Sequence, residues 1–254
     1  KSALQPIQKI SSDLQSITSQ DLNRHVAVPN TEDEVSELAV TFNELLQRLH
    51  ESFKRERQFI GDVAHELKTP VATLKGEIEL ALSKKRTNEE YKNAFGETLI
   101  DVNRLSTTIR NILDLAWIGA DKAISTNQQT DLTAVLVELK DIAVKLAAQK
   151  HITVKSHIAE GIQVTGSEDK LSRAILNILD NAVKYTPTNE TISIFLRTKN
   201  SEAVVEVIDS GNGILEKDLP HIFDRFYRGS KTAKTLGSGL GLAIAQGIIE
   251  SHGG

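Results

Sequence analysis

The chain has 254 residues, a formal net charge of −4 and a sequence pI of about 6.0, with 39 % apolar and 4 % aromatic residues. That length admits two or more domains, the mildly acidic balance argues against a nucleic-acid partner, and the absence of cysteine excludes disulfides and thiolate metal sites. No apolar run approaches the ~20 residues of a membrane span. The chain starts at Lys1, contains no methionine and ends on His252-Gly253-Gly254, so it is expected to be a piece of a longer protein.

In chain order, Leu4, Ile7, Ile10, Leu14 and Ile17 follow three-and-four spacing, which predicts an amphipathic helix with Pro6 near its start. Residues 21–30 break the pattern, with Leu22, Val26 and Val28 as anchors and Pro29 as punctuation. Thr31 to Glu34 reads as a capping box that opens a second helix. Its seam is Val35, Leu38, Phe42, Leu45 and Leu49. Two helices with narrow apolar stripes need partners, and a parallel dimer forming a four-helix coil satisfies both. A further seam at Ile60, Ala64, Leu67, Val71, Leu74, Ile78 and Ala81 is displaced by one position from the first register.

A polar turn at Ser83 to Asn88 leads to a second capping box, Thr87 to Glu90. The helix it opens carries Phe95, Val102, Leu105, Ile109, Ile112 and Ala116 on one stripe. An antiparallel hairpin of this kind again calls for a dimeric four-helix bundle. Gly119 to Gln129 reads as a linker, with the sole tryptophan, Trp117, at its edge. Beyond Asp131 the pattern becomes mixed. Helices are expected at 132–148, 168–185 and 240–251, and strands at 152–156, 162–165, 191–197 and 203–209. The fold class is therefore multidomain α and α+β: helical bundles followed by an α/β sandwich with helices on one face of a mixed sheet.

Four groups of residues carry chemistry. His65 falls just outside its seam, so it is expected to be partly exposed on a rigid helix, with Glu66 beside it, Thr69 on the same face and Pro70 bending the helix. A carboxylate accepting from one ring nitrogen leaves the other as a nucleophilic lone pair near neutral pH. The other six histidines, at 25, 50, 151, 157, 221 and 252, are read as ordinary. Asn177, Asn181 and Lys184 fall at i, i+4 and i+7, on a different face from the expected buried stripe of Leu171, Ala174, Ile178 and Ala182. Asparagine is a poor residue inside a helix, whereas its amide oxygen suits Mg²⁺ and a lysine suits phosphate. Asp209-Ser210-Gly211-Asn212-Gly213 ends an apolar strand with a carboxylate able to accept from a purine amino group, or is simply a turn. Gly237-Ser238-Gly239-Leu240-Gly241-Leu242 opens a helix whose N–H groups favour phosphate. It is neither a dinucleotide fingerprint nor a P-loop.

These blocks in this order resemble the sensor histidine kinases of two-component systems. His65-Glu66-Leu67-Lys68-Thr69-Pro70 is similar to the family's phospho-acceptor box, Asn177 to Tyr185 to its asparagine box, and Asp209 to Gly213 and Gly237 to Leu242 to its two glycine boxes. Phe223 to Arg228 is similar to its phenylalanine box. The first two helices, with Pro6, Asp33-Glu34 and Phe42-Asn43-Glu44-Leu45, resemble the HAMP relay module. The resemblance implies a HAMP module at 1–53, a dimerisation and phosphotransfer hairpin at 54–118, a linker at 119–130 and an ATP-binding catalytic domain at 131–254.

It further implies ATP-dependent phosphorylation of His65, with Glu66 as base or orienting partner. The phosphoryl group would then pass to an aspartate on the receiver domain of a response regulator. Asn181 would ligate Mg²⁺. Asn177, Lys184 and Tyr185 would line the triphosphate side, Asp209 would read adenine beside Gly211 and Gly213, and Arg228 would reach the terminal phosphate. Gly237, Gly239, Leu240 and Gly241 would cradle phosphate, and 229–238 would form a lid. Thr69 matches the position that orients water when phosphate is removed from the partner. The implied whole is a homodimer, the cytoplasmic portion of a plasma (inner) membrane receptor anchored by a segment before Lys1. Trp117 and Ser210 depart from the family's usual residues, and the family's catalytic domain normally continues for two strands beyond a His-Gly-Gly. An ATPase of the same nucleotide-binding superfamily and a non-catalytic adaptor are the other classes the motifs admit.

Overall fold

Asp33 and Thr87 start the two long helices. The structure is a computed structural model that describes residues 7, 10–12, 25–29, 33–120, 128–229 and 237–254, with only the backbone of 117–120. The Asp33 Oδ1 accepts from the Ser36 N–H at 3.1 Å, which caps α1, Glu34–Leu82. Thr31, the expected cap, lies outside the described residues, as do Leu4, Pro6, Leu14, Ile17 and Leu22. Ile7 and residues 10–12 are helical, as expected. The seams on either side of Leu49 and Ile60 belong to one unbroken helix of 49 residues.

Pro70 lies within that helix and does not end it. Its missing N–H removes the amide that would bond the carbonyl of Glu66. At the far end Ser83 Oγ and Arg86 Nη2 donate to Leu80 O, at 2.8 and 3.0 Å. The expected box at Thr87 is formed reciprocally: Thr87 N–H donates to Glu90 Oε2 at 2.7 Å and Glu90 N–H to Thr87 Oγ1 at 3.2 Å. The Thr87 N–H, first, and the Thr87 hydroxyl, both donating to the Glu90 carboxyl, hold it below its ordinary value. The box opens α2, Asn88–Ala120.

The chain divides into two compact units, Lys1–His65 and Glu66–Gly254. In the first, Ile10, Val26, Ala39 and Leu46 are buried together, with Val35 and Phe53 against them. Asn43 ties the connector to α1: its Oδ1 accepts from Val26 N–H at 2.8 Å and its Nδ2 donates to Val26 O at 3.0 Å. The core thus takes Ala39 and Leu46, one position along from the expected seam, while Leu38, Leu45 and Leu49 stay exposed. One helix face packs within the chain and the adjacent face is left for a partner.

The second unit holds the helical hairpin and the mixed-sheet domain. Its hairpin stripes are only partly covered: Val71, Ile78, Phe95, Val102 and Ile109 are exposed, while Leu67, Leu74, Leu105 and Ile112 are half-buried. The sheet domain begins at β1, Gln129–Asp131, inside the stretch read as a linker. β1 is too short to show a pattern, and it exists because it pairs antiparallel with β3, Gln163–Thr165. Asp131 then caps α3, Leu132–Ala148, accepting from Ala134 N–H at 3.0 Å.

A second sheet has the order β2 (Thr153–Ile158), β4 (Thr191–Lys199), β5 (Glu202–Asp209). β2 runs parallel to β4, and β5 antiparallel to it. Asn200 and Ser201 join β4 to β5 with φ of 51° and 66°, the two-residue turn that suits the strand twist. Between β3 and β4 lies α4, Glu168–Tyr185, and the chain closes with α5, Gly241–Ser251.

One face of the three-stranded sheet is covered, as expected. Ile192, Ile194 and Leu196 of β4 are buried against Leu136, Leu139 and Ala143 of α3 and against Ile175, Leu179 and Val183 of α4. On the opposite face His157 stacks on Phe195 at 5.3 Å, and Arg197 pairs with Glu206 at 2.9 Å. The stripe of α4 differs from the expected one in adding Ile175, Leu179 and Val183 and leaving Ile178 half-buried. The domain's core sits against the adjacent residues of the helix. α5 packs on α4, and His252 fastens its end: the ring Nε2 accepts from Ser167 N–H at 3.2 Å while Nδ1 donates to Ile248 O at 2.7 Å.

Leu179 is fully buried at the centre of this core. We expect Leu179→Ala to destabilise the sheet domain by about 3 kcal/mol, seen as a lower urea midpoint with an unchanged slope. A loss below about 1 kcal/mol would mean that the site collapses around the smaller side chain.

Candidate active site

Packing Leu179 inward sets the rotation of α4, and the polar face follows from it. Asn177 and Asn181 are half-buried on that face with Lys184. Asn177 Nδ2 is buried and has no hydrogen-bond partner among the described residues. A dry amide donor of this kind costs about 1–3 kcal/mol unless something satisfies it. The backbone of the second glycine block lies directly above. A Cβ on Gly241 would stand 3.6 Å from Asn177 Oδ1, and one on Gly237 would stand 2.8 Å from Lys184 Nζ. The structure therefore brings Asn177, Lys184, Gly237 and Gly241 together. Residues 230–236, most of the expected lid, lie outside the described residues.

Gly239 is held by the phenylalanine block. Its φ is +69°, and a Cβ there would meet the Phe226 and Tyr227 backbone at 2.7 Å. Phe226 itself has a φ of 62°, a costly conformation for a bulky residue. Its N–H donates to Gly239 O at 3.1 Å, which ties the two segments together. Tyr227 donates its hydroxyl to the buried Asp218 at 2.9 Å, and that bond first, then burial, raises the Tyr227 pKa. Leu240 is fully buried, so its contribution to a ligand is backbone.

The other end of the site is built at the close of β5. Asp209 pairs in register with Ile192. Its Oδ1 accepts from Gly211 N–H at 2.9 Å, and a Cβ on Gly211 would stand 2.9 Å from Tyr185 O. Asp209, Gly211 and Tyr185 thus form a second cluster on the same helix end as Lys184. Ser210 pins the strand: its hydroxyl accepts from Thr191 N–H at 3.1 Å and lies 2.9 Å from Glu190 Oε2. Gly213 has a φ of +64° with open space where a Cβ would point. Arg228 is exposed, and its charge acts on Lys184.

His65 is exposed on α1, as expected, with Glu66 half-buried and Thr69 exposed. Thr73 Oγ1 donates to Thr69 O at 3.2 Å. The sequence reading missed the contact between α2 and α4. Arg173 pairs with Asp114 and donates from Nη2 to Asn111 Oδ1 at 3.1 Å. These residues are spread over two polar helix faces, and no local spacing singles them out.

The glycine cradle, the dry amide and the half-buried ammonium suit a phosphorylated ligand, and the neutral amide oxygens suit a hard cation. Residues 166–254 match the family of histidine kinase-, DNA gyrase B- and HSP90-like ATPases. Residues 55–121 match the His kinase A (phospho-acceptor) domain, and residues 1–51 the HAMP domain. The chain belongs to the sensor histidine kinases. Over 251 residues, the chain is 33 % identical to the sensor histidine kinase CusS of Escherichia coli K12, covering 98 % of this chain and 52 % of that protein. It is 32 % identical over 230 residues to the signal transduction histidine-protein kinase ArlS of Staphylococcus aureus USA300, covering 87 % and 50 %. The chain thus spans about half the length of the curated relatives it matches. Its fold is similar to that of histidine kinase ThkA in a complex with response regulator protein TrrA, with a TM-score of 0.62 and 23 % identity over 87 % of this chain and 62 % of that one.

Burial, first, holds the Lys184 ammonium below the usual lysine value of 10.5; Arg104, Arg228 and Lys150 add to this, and Asp180 opposes it. The unfolded chain therefore binds this proton more tightly than the folded chain. The cost of the buried cation is complete below the folded pKa and fades as pH rises to the unfolded value. Without nucleotide, Lys184→Met is expected to raise the melting temperature near pH 8, with the gain shrinking towards pH 10.5. A gain that is constant over that range would contradict the burial argument.

Proposed function

We propose that this chain is the signalling portion of a receptor kinase that phosphorylates its own His65 from ATP and passes the group to an aspartate of a response regulator. The observation that carries the reading is the buried Asn177 Nδ2, without a hydrogen-bond partner among the described residues, against Gly241, with Lys184 against Gly237, in a chain that also displays His65 on an exposed helix face. The matches to the ATPase and phospho-acceptor families support it. In this reading Asn177, Lys184 and Tyr185 flank the triphosphate, with the backbone of Gly237, Gly239, Leu240 and Gly241 donating to it. Asp209 accepts from the adenine amino group, and Gly211 and Gly213 shape that end. Arg228 neutralises the terminal phosphate. Asn181 would hold Mg²⁺, which when bound offsets the charge on the phosphates.

A ring nitrogen of His65 forms the P–N bond as the bond from the γ-phosphorus to its bridging oxygen breaks and ADP leaves. Glu66 accepts the proton of the other ring nitrogen and offsets the positive charge that develops. Thr69 would orient the water that attacks the regulator's aspartyl phosphate, breaking its P–O bond to leave the free carboxylate and inorganic phosphate.

The domain division is read as HAMP relay at 1–53, dimerisation and phosphotransfer hairpin at 54–118, a linker from 119, and a catalytic domain to 254 whose first strand, β1, starts at Gln129, two residues before the expected 131. Exposed apolar residues along both hairpin helices support a homodimer. The solved complex of ThkA with a response regulator supports the receiver-domain partner. Among the described residues no helix is long and apolar enough to cross a membrane. The HAMP match at 1–51 supports an anchor before Lys1 and a place on the cytoplasmic side of the inner membrane.

Two measurements test this. Incubation with labelled ATP and Mg²⁺ should give an acid-labile, base-stable phosphoprotein that is absent in His65→Gln; label that persists in the variant refutes the assignment. Asn181→Asp should keep the circular dichroism spectrum and lose Mg²⁺-dependent ATP binding by about 100-fold. Unchanged affinity would remove Asn181 from the site.

A further inference from the structure

Lys150 has no part in the reading above, yet its side chain closes the helix on which that reading depends. It lies half-buried in the turn after α3. Its Nζ stands 2.9 Å from Val183 O, 2.7 Å from Lys184 O and 3.2 Å from Thr186 O. A helix leaves its last four carbonyls without amide partners. At the end of α4, Thr186 N–H and Thr186 Oγ1 both donate to Ala182 O, at 3.0 and 2.6 Å. The ammonium takes the next two carbonyls, skips Tyr185 O and takes Thr186 O, which uses all three of its donors. Its charge also suits the negative end of the helix dipole. The Lys150 backbone is held in place in turn, since Lys150 N–H donates to Ala147 O at 3.0 Å and Asn189 N–H donates to Lys150 O at 3.1 Å.

The turn so anchored carries both walls of the candidate pocket. Lys184 projects to Gly237, and the Tyr185 carbonyl lies against Gly211, whose N–H donates to Asp209. Loosening the last turn of α4 would therefore displace the phosphate side and the adenine side together. We propose that Lys150 is a positioning residue for nucleotide binding, acting through the capped end of α4 on Lys184 and Tyr185. The proposal deepens the ATP reading and rests on it.

The test compares the parent chain with Lys150→Met and Lys150→Arg. ATP affinity is read by fluorescence titration with Mg²⁺, and the amides of residues 184–186 by hydrogen exchange. Lys150→Met should expose those amides while the β4 amides stay protected, and should weaken ATP binding about tenfold or more, the scale of an ångström-level misplacement. Lys150→Arg keeps a cationic donor and should recover affinity to within about threefold. Faster exchange at 184–186 with ATP affinity within about twofold of the parent would overturn the positioning role. So would unchanged exchange. A parent chain that binds no ATP would instead sink the nucleotide reading, while the exchange comparison still reports whether Lys150 anchors α4. If Lys150→Met does not fold, Lys150→Gln, which keeps two donors without the charge, is judged by the same outcomes.

Discussion

Burial of Leu179, Ala182 and Val183 against Ile192 and Ile194 fixes the rotation of α4 about its own axis. Because the helix repeats every 3.6 residues, that single constraint aims Asn177, Asn181 and Lys184 away from the core. The same helix packs against α5, whose first turn brings Gly241 within van der Waals range of where it must lie over Asn177. Asn177 Nδ2, without a partner among the described residues, and a Lys184 ammonium whose pKa is lowered by burial both suit a ligand rich in negative oxygen.

The glycines matter here for what they leave out. Side chains at 211, 237 and 239 would run into Tyr185 O, Lys184 Nζ and the Phe226–Tyr227 backbone. Backbone amides can approach a ligand only where nothing intervenes. Phe226 bears the associated strain, held at positive φ by its bond to Gly239. The strain falls beside the residues read as the phosphate cradle, where surrounding contacts can sustain it.

The helical part follows a different logic. Its helices are specified by caps, a single bond from Ser36 N–H to Asp33 and a reciprocal pair between Thr87 and Glu90. In the first unit Ala39 and Leu46 pack inward while Leu38, Leu45 and Leu49 remain outside. His65 is exposed on α1, and in the same unit Leu38, Leu45 and Leu49 leave apolar side chains uncovered.

Local physics wrote much of this into the order of residues. The cap at Thr87, the helices 132–148 and 168–185, the alternating pattern of β4 and the i, i+4, i+7 line of Asn177, Asn181 and Lys184 depend on neighbours a few residues away, so spacing alone reveals them. Tertiary structure decided what depends on distant partners. β1 exists only through its pairing with β3. The seam of α1 shifts to Ala39 and Leu46 because Ile10 and Val26 meet it there. Lys150 closes a helix more than thirty residues further along the chain, and Arg173 reaches Asn111 of α2 across 62 residues. Such contacts carry no periodicity, because an ammonium or a guanidinium on a long flexible stem can be supplied from any strand, turn or helix that passes near enough.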